Sequence, residues 1–132
     1  MAALERDTGA GRFEAGAVII AGERIPLPRR IERAPGEVVD ARDRNFWGLT
    51  FAADGDTFYA TLATGGDTWL IKGSIKARTA EAIHANVECP SLSPDETRIA
   101  YKKAVGQDPP VWRFHVLDLA TGRETPLAED AP

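Results

Sequence analysis

The side chains that could support hydrolytic chemistry are few and scattered along the chain. The sequence contains two histidines, His84 and His115, and no serine lies in a Gly-x-Ser-x-Gly elbow. Ser74, Ser91 and Ser93 fall within predicted strands or at the edge of a turn. Because a nucleophile, a base and an orienting carboxylate must converge on one pocket, the sequence predicts no catalytic residues and a protein that is not an enzyme.

Both histidines have simple structural interpretations. His115 lies in an apolar segment in which it alternates with Trp112, Phe114 and Val116, so in a strand its side chain points to the face opposite theirs. We expect His115 to be at the surface or hydrogen-bonded. We expect His84, at the end of another predicted strand, to lie at a loop edge.

Metal-binding patterns are weak. Zinc requires four Cys, His or carboxylate ligands, and His84 with Cys89 supplies two in a short span. Asp54 and Asp56 resemble the start of a calcium loop, but Phe58 stands at a later position that needs an oxygen donor. We therefore interpret both aspartates as turn residues and predict no metal site.

Cofactor and thiol chemistry are equally poorly represented. Gly65 and Gly66 do not lie between a strand and a helix, so they do not form a phosphate-binding loop, and no cofactor is predicted. Cys89 is the only cysteine, which excludes a disulfide within this chain. Next to Pro90 at the start of a predicted strand, we expect it to be a small buried hydrophobic residue.

Composition argues against several classes of partner. The 132 residues carry 16 basic and 20 acidic side chains, a net charge of −4, whereas a nucleic-acid-binding surface needs an excess of positive charge. The arginines from Arg24 to Arg33 are interleaved with glutamates. The longest apolar run, Ala17 to Ala21, is far shorter than a membrane span. Residues 1–16 lack the apolar core of a secretory signal, so we expect a soluble protein and leave its compartment open.

The elements that carry these residues recur along the chain. The segment from Phe51 to Thr61 aligns with the segment from Leu92 to Lys102 at a spacing of 41 residues. Trp69 aligns with Trp112 at a spacing of 43. A period near 40 with several short strands in each period is typical of β-propeller blades.

Each unit divides into four predicted strands. They cover 46–51, 57–62, 68–74 and 79–84 in the first unit, and 89–93, 98–103, 111–119 and 124–127 in the second. A helix at 77–85 is the alternative, but the equivalent stretch of the second unit contains Pro126, which a helix interior does not accept and which a strand accepts only at a sheet edge. The predicted fold class is all-β, built from four-stranded antiparallel sheets.

The stretch from Pro90 to Tyr101, followed by Val116 to Gly122, resembles a blade of the TolB-like β-propeller family. Blades of that family read as a Ser-Pro-Asp-Gly turn, an Arg-Ile-Ala-Phe/Tyr strand and an Asp-Leu-x-Thr-Gly hairpin. The likeness covers residues 89–127 and, less fully, 46–84. There are two departures: Glu96 stands at the usual glycine, and the first unit has Ile75 to Arg78 where the hairpin motif is expected.

The resemblance implies a non-enzymatic scaffold for protein–protein contacts, in a family whose members are often periplasmic or secreted. TolB-like blades also precede serine peptidase domains, so the alternative is the propeller portion of a hydrolase whose catalytic domain lies elsewhere. The expected binding face is the set of loops at one end of the blades, 63–67 and 104–110. The aromatic residues that recur in the strands are expected to pack between blades; they are Trp47, Tyr59, Trp69, Tyr101, Trp112 and Phe114.

The predicted domain boundaries follow the two units. Residues 1–15 form a polar, disordered N-terminus, 16–45 partial strands of a preceding blade plus a loop, 46–88 one blade and 89–132 another. The preceding blade is inferred because Gly22–Leu27 resembles Gly122–Leu127. Complete propellers carry about four to eight blades. The chain is therefore expected to be an incomplete propeller: a fragment of a longer protein, a homo-oligomer that completes a ring, or a small open stack.

Overall fold

The computed structural model describes residues 12–14, 17–20, 22–27, 30–34, 37–40, 45–64, 66–106 and 109–127. Within these ranges the chain forms strands and turns and no helix, so the predicted all-β fold class is confirmed. The strands are β1 (Arg12–Glu14), β2 (Ala17–Ile20), β3 (Glu23–Pro26), β4 (Arg30–Ala34), β5 (Glu37–Asp40), β6 (Asn45–Phe51), β7 (Thr57–Thr64), β8 (Asp67–Ser74), β9 (Thr79–Ala85), β10 (Glu88–Leu92), β11 (Arg98–Val105), β12 (Val111–Asp118) and β13 (Glu124–Pro126).

The strands assemble into four antiparallel sheets. β1, β2 and β3 form the N-terminal sheet, and β4 pairs with β5. Sheet I contains β6 to β9 and sheet II contains β10 to β13, each in chain order. None of the four sheets closes on itself. Residues 79–85 form a strand rather than a helix, and Pro126 lies in an edge strand, both as predicted.

The ends of the chain are described only in part. Residues 1–11 and 128–132 lie outside the described residues, and so does most of the segment predicted to be disordered, 1–15. Within that segment, β1 pairs with β2. The segment 16–45 contains β2 and β3 of the N-terminal sheet and the β4–β5 pair.

Two aspartates fix the turns that lead into β7 and β11. Asp54 Oδ1 accepts hydrogen bonds from the backbone N–H groups of Asp56 and Thr57, each at 2.8 Å. Asp95 Oδ1 accepts one from the N–H of Thr97 at 3.1 Å. Because these carboxylates satisfy backbone donors that the tight turn leaves unpaired, the interpretation of Asp54 as a turn residue is confirmed.

The two four-stranded sheets share unusual backbone positions at a spacing of 41 residues. Gly48 and Cys89 have φ values of 73° and 55°, and Gly55 and Glu96 have values of 70° and 63°. Left-handed backbone costs a non-glycine residue free energy. At Glu96 the side chain compensates in part, because its Oε2 accepts a hydrogen bond from the N–H of Ala53, in the other turn, at 2.7 Å.

Sheet I is covered on both faces. We call the face of sheet I that is turned towards the N-terminal sheet, and the face of sheet II that is turned towards sheet I, the front face, and the opposite face of each sheet its back face. The front face of sheet I packs against the N-terminal sheet and against Leu27, which directly follows β3. The residues in contact are Phe58, Leu62, Trp69 and Ile71 on sheet I and Val18, Ile20 and Ile25 on the N-terminal sheet. On the back face of sheet I, Tyr59 and Leu70 pack with Ile99, Tyr101 and Leu117 on the front face of sheet II. These two layers of apolar contact form the core.

The strand register of sheet II differs from the sequence alignment by one residue. Phe58 pairs with Gly73 in sheet I, and Ile99 pairs with Leu117 in sheet II. The second strands are therefore 41 residues apart and the third strands 44 apart, rather than the 43 that the alignment of the tryptophans indicates. A shift of one residue moves every side chain of a strand to the other face.

Trp112 and Phe114 consequently lie on the back face of sheet II, 47% and 50% exposed. The prediction that they pack between blades is wrong, although Tyr59, Trp69 and Tyr101 are buried as expected. The reason lies in the connections. Five residues separate β11 from β12 and two separate β7 from β8, so the second loop is longer by three residues, and aligning the tryptophans allowed for only two.

Cys89 is exposed, so the prediction that it is buried is also wrong. The pairing of β10 with β11 is irregular between Glu88 and Ser91. This bulge and the left-handed φ at Cys89 interrupt the alternation of side chains from which burial was inferred.

Candidate functional site

The two loops predicted to form a binding face meet at a cleft between sheets I and II. The cleft has a volume of about 500 Å³, and its walls include Asp67 on one side and Pro110 and Trp112 on the other. Asn86 and Glu88, from the connection between the sheets, also line it. Residues 65, 107 and 108 of these loops lie outside the described residues. The structure thus places loops 63–67 and 104–110 around one concave surface.

Asn86 holds the two sides of this cleft together. Its side-chain Nδ2 donates a hydrogen bond to the carbonyl oxygen of Ala104 at 3.1 Å, and its Oδ1 accepts one from the N–H of Ala104 at 3.2 Å. Asn86 itself has a φ of 62°, a conformation that asparagine tolerates better than most residues. This bidentate contact fixes the start of the 106–110 loop against the end of β9.

The cleft combines acidic and aromatic groups. Asp67 and Glu88 contribute carboxylates, and the Trp112 ring lies beneath the ammonium of Lys102, whose Nζ is 5.6 Å from the ring centroid. Lys102 thus already provides a cation for the indole ring, and the carboxylates are the groups of the cleft that favour positive charge in a partner. The surface is suited to basic or amphipathic side chains rather than to anions.

Ser74 and Ser93 hold turn residues through hydrogen bonds to aspartates, and Ser91 lies within β10. The Ser74 hydroxyl donates to Asp56, at 3.0 Å from each carboxylate oxygen. The Ser93 hydroxyl donates to Asp95 Oδ1 at 2.7 Å. Together with hydrogen bonds from Thr97, that contact lowers the pKa of Asp95 to about 2. Hydrogen bonds from the backbone of Thr57 likewise lower the pKa of Asp54.

A polar cluster that the sequence did not reveal joins sheets I and II at their outer edge. Glu124 in β13 accepts hydrogen bonds from the Tyr101 hydroxyl and the Lys103 ammonium. His84 in β9 lies with its Nε2 2.9 Å from Glu124 Oε1, so it is an inter-sheet contact rather than a simple loop-edge residue. His115 is buried, and its ring stacks on Tyr101 with centroids 6.2 Å apart.

The electrostatics of the cluster favour an ionised Glu124. Burial alone would raise the pKa of Glu124, but hydrogen bonds from Lys103, Tyr101 and His84 together outweigh it and lower the pKa to about 2. Burial, reinforced by the bond to Glu124, raises the pKa of the Tyr101 hydroxyl well above its usual value. A neutral donor beside a fixed carboxylate stabilises the interface rather than supplying a nucleophile.

The sequence contained one usable signal for this cluster. Alternation in β11 puts Tyr101 and Lys103 on the same face of the strand. Their partner Glu124 follows more than 20 residues later in a three-residue strand, and His84 precedes by a similar interval in another sheet. The pairing of β11 with β12 and of β12 with β13 brings Tyr101, Lys103 and Glu124 together, and the packing of sheet I against sheet II adds His84.

Among the described residues, no three His, Cys, Asp or Glu side chains are close enough together to hold a metal ion. The same part of the chain contains no helix that is long and apolar enough to cross a membrane.

No family model matches this sequence, and no curated protein matches it significantly. The TolB-like resemblance therefore depends on the motifs of the chain itself, and the interpretation of the cleft depends on its geometry.

Proposed function

We propose that the chain is a segment of a TolB-like β-propeller, with sheets I and II as two blades and the N-terminal sheet as part of a third, and that it acts as a protein–protein interaction scaffold. The observation that carries the proposal is the meeting of loops 63–67 and 104–110 around one cleft. Loops held at one end of a rigid stack of sheets are a common place for binding residues.

Recurrent backbone geometry supports the assignment of blades. The strands of each four-stranded sheet follow one another in chain order. In each sheet one residue with a left-handed backbone lies within the bulge of the first strand, and another lies in the first turn. The second of these positions is Glu96, the site of the departure from the family motif, and it keeps the glycine-like conformation. The N-terminal sheet packs on sheet I, and sheet I packs on sheet II, face to face as propeller blades do.

The chemistry of the cleft indicates the kind of partner. Asp67, Glu88 and Trp112 line it, and the net charge of the chain is −4. We expect the bound segment to present lysine or arginine side chains, which pair with carboxylates. The scaffold then requires no catalytic group of its own.

Site-specific photo-cross-linking in the source cells tests this placement. A photoreactive amino acid replaces Pro110 in the cleft or Glu81, an exposed residue of β9 that lies outside it. We expect discrete cross-linked adducts from position 110 and none from position 81. Equal adduct patterns from both positions, or none from position 110, would contradict the proposed binding face.

A matched pair of charge-neutral variants extends the test to the purified partner. Glu88→Gln removes a carboxylate of the cleft, whereas Glu81→Gln removes one from the exposed face of β9. Loss of a charge pair at an interface weakens binding by about tenfold or more, and titration calorimetry with the cross-linked partner measures it. We expect this loss for Glu88→Gln alone; equal affinities of the two variants would count against an acidic recognition surface.

A further inference from the structure

One lysine lies between a carboxylate and an aromatic ring of the cleft. In sheet II, β11 is flanked by β10 and β12, and Lys102 of β11 stands opposite Glu88 of β10. The ammonium of Lys102 lies over the indole of Trp112 in β12, with Nζ 5.6 Å from the ring centroid. Glu88 and Trp112 both line the cleft. The chain therefore places a cation of its own beside the surface proposed to bind the cations of a partner.

This lysine is held much less firmly than its neighbour in the sequence. Lys103 donates a hydrogen bond to Glu124 within the polar cluster between the sheets. Lys102 instead contacts a ring that is 47% exposed. An exposed cation–π contact is equivalent to about a two- to fivefold change in an equilibrium constant. A second cation that also pairs with a carboxylate of the cleft can therefore displace Lys102 at little cost.

We propose that Lys102 is an internal competitor of the partner: its ammonium occupies the Trp112 ring until a cation of the bound segment displaces it. The inference rests on the proposed function, because it requires the cleft to bind a basic segment. Two cations over one ring repel each other, so Lys102 lowers the affinity of the cleft for such a segment. It also favours segments with arginine, whose planar guanidinium stacks on aromatic rings.

Replacement of the lysine by methionine tests this role. Lys102→Met removes the ammonium and keeps an unbranched apolar side chain. The probe is a dye-labelled octapeptide of alternating lysine and serine with both ends blocked, and fluorescence anisotropy measures its dissociation constant. We expect Lys102→Met to bind it about three- to tenfold more tightly than the natural chain, because the ring is released and a like charge is removed. Lys102→Arg should bind it no more tightly than the natural chain.

The matched control removes the same charge elsewhere. Lys72 is an exposed residue of β8 and lies outside the cleft. At physiological ionic strength distant surface charges are screened, so Lys72→Met should stay within about twofold of the natural chain. The octapeptide with every lysine acetylated has no cations and should bind none of the proteins. Urea unfolding checks that both methionine variants remain folded.

Displacement of the lysine can also be observed directly by NMR. The ε-methylene group of Lys102 adjoins an ammonium that lies over the indole, so the ring current moves its proton resonances upfield. We expect this upfield shift to disappear as the natural chain is saturated with the octapeptide, while the ε-methylene resonances of Lys72 stay unchanged. A lysine that only packs against the ring would keep its shift at saturation, and that result would overturn the competitor role.

The affinities separate failure of this inference from failure of the proposed function. Equal affinities of the natural chain and Lys102→Met, or equal gains in Lys102→Met and Lys72→Met, would overturn the competitor role. If Glu88→Gln still weakened binding of the octapeptide, the acidic recognition surface would stand without it. No binding of the octapeptide by either the natural chain or Lys102→Met would refute recognition of basic segments, and the competitor role with it.

Discussion

Glu124 is the residue whose ionisation most directly links the two sheets. Its pKa is about 2 against an ordinary value of 4.5, so its carboxylate contributes stability above pH 4.5 or so, and the contribution is lost as the pH falls towards 2. We expect Glu124→Gln to lower the free energy of unfolding at neutral pH by up to about 3 kcal/mol. Urea unfolding at several pH values measures it.

The pH dependence separates this effect from simple loss of packing. In the natural chain the stability should fall between about pH 4.5 and pH 2, and the difference from Glu124→Gln should shrink over the same interval. Asp95, whose pKa is also about 2, titrates in both proteins and cancels from the difference. A difference that stays constant from neutral pH to pH 2 would show that the carboxylate charge is not responsible.

Glu96 combines a strained backbone with a contact between turns. Its φ of 63° favours glycine, while its carboxylate accepts a hydrogen bond from Ala53. We expect Glu96→Ala to cost about 1 kcal/mol, the net value of a typical hydrogen bond, because this one is exposed to solvent. Glu96→Gly should be close to neutral, because relief of the left-handed backbone contributes about 1 kcal/mol in return. Thermal or urea unfolding that ranks alanine above glycine in stability would refute this account.

Gly73 permits the closest packing in sheet I. A Cβ atom there would lie 2.2 Å from Cζ of Phe58, the residue paired with it across β7 and β8. We expect Gly73→Ala to destabilise the protein by about 1–3 kcal/mol through overpacking. In a Phe58→Leu background the same change should cost less, because the ring atoms that clash are absent. Equal costs in the two backgrounds, from a double-mutant cycle, would exclude the clash as the cause.

At the scale of the strand, the one-residue register shift means that Trp69 and Trp112 should contribute different amounts to the free energy of unfolding. Trp69 is 4% exposed in the core, whereas Trp112 is 47% exposed on the back face of sheet II. We expect Trp69→Leu to cost about 2–4 kcal/mol and Trp112→Leu less than about 1 kcal/mol. Denaturant midpoints with unchanged m-values test the ranking. Similar costs would mean that the two residues occupy equivalent positions after all.

The strands themselves were largely predictable from the sequence. Alternating apolar residues and the turns at Asp54 and Asp95 located all eight strands of sheets I and II to within a few residues. These signals are local, so they do not depend on how distant segments pack. The side that faces inward was not predictable for β12, because register depends on the length of the 106–110 loop.

The candidate site, like the strands, was predictable from the sequence only in part. Loops 63–67 and 104–110 could be named in advance because they connect predicted hairpins, and they do line one cleft. The Glu124 cluster could not be named, because Tyr101 and Glu124 meet only through the pairing of β11, β12 and β13, and His84 reaches Glu124 only through the stacking of two sheets. The exposure of Cys89 could not be predicted from the alternation of side chains either, because a bulge interrupts that alternation.

At the scale of the whole molecule, the sheets are stabilised chiefly by one another. Sheet I makes apolar contacts on both faces, because the N-terminal sheet packs on one face and sheet II on the other. In such stacks stability is approximately the sum of the stability of each layer and of the interfaces between neighbours. The interface between sheets I and II contains Leu70, Ile99 and Leu117, all 3% exposed or less.

This coupling predicts how damage to one sheet spreads. Leu70→Ala removes apolar contact from the interface while leaving sheet II unchanged in sequence, and should cost about 2–5 kcal/mol. Native-state hydrogen exchange should then show reduced protection in β11 and β12 as well as in β7 and β8. Ile83→Ala, at a residue of β9 that is 38% exposed, is the control and should leave β11 and β12 protected. If the loss of hydrogen-exchange protection after Leu70→Ala were confined to sheet I, the two sheets would be independent folding units, and the contact between them would contribute little to stability.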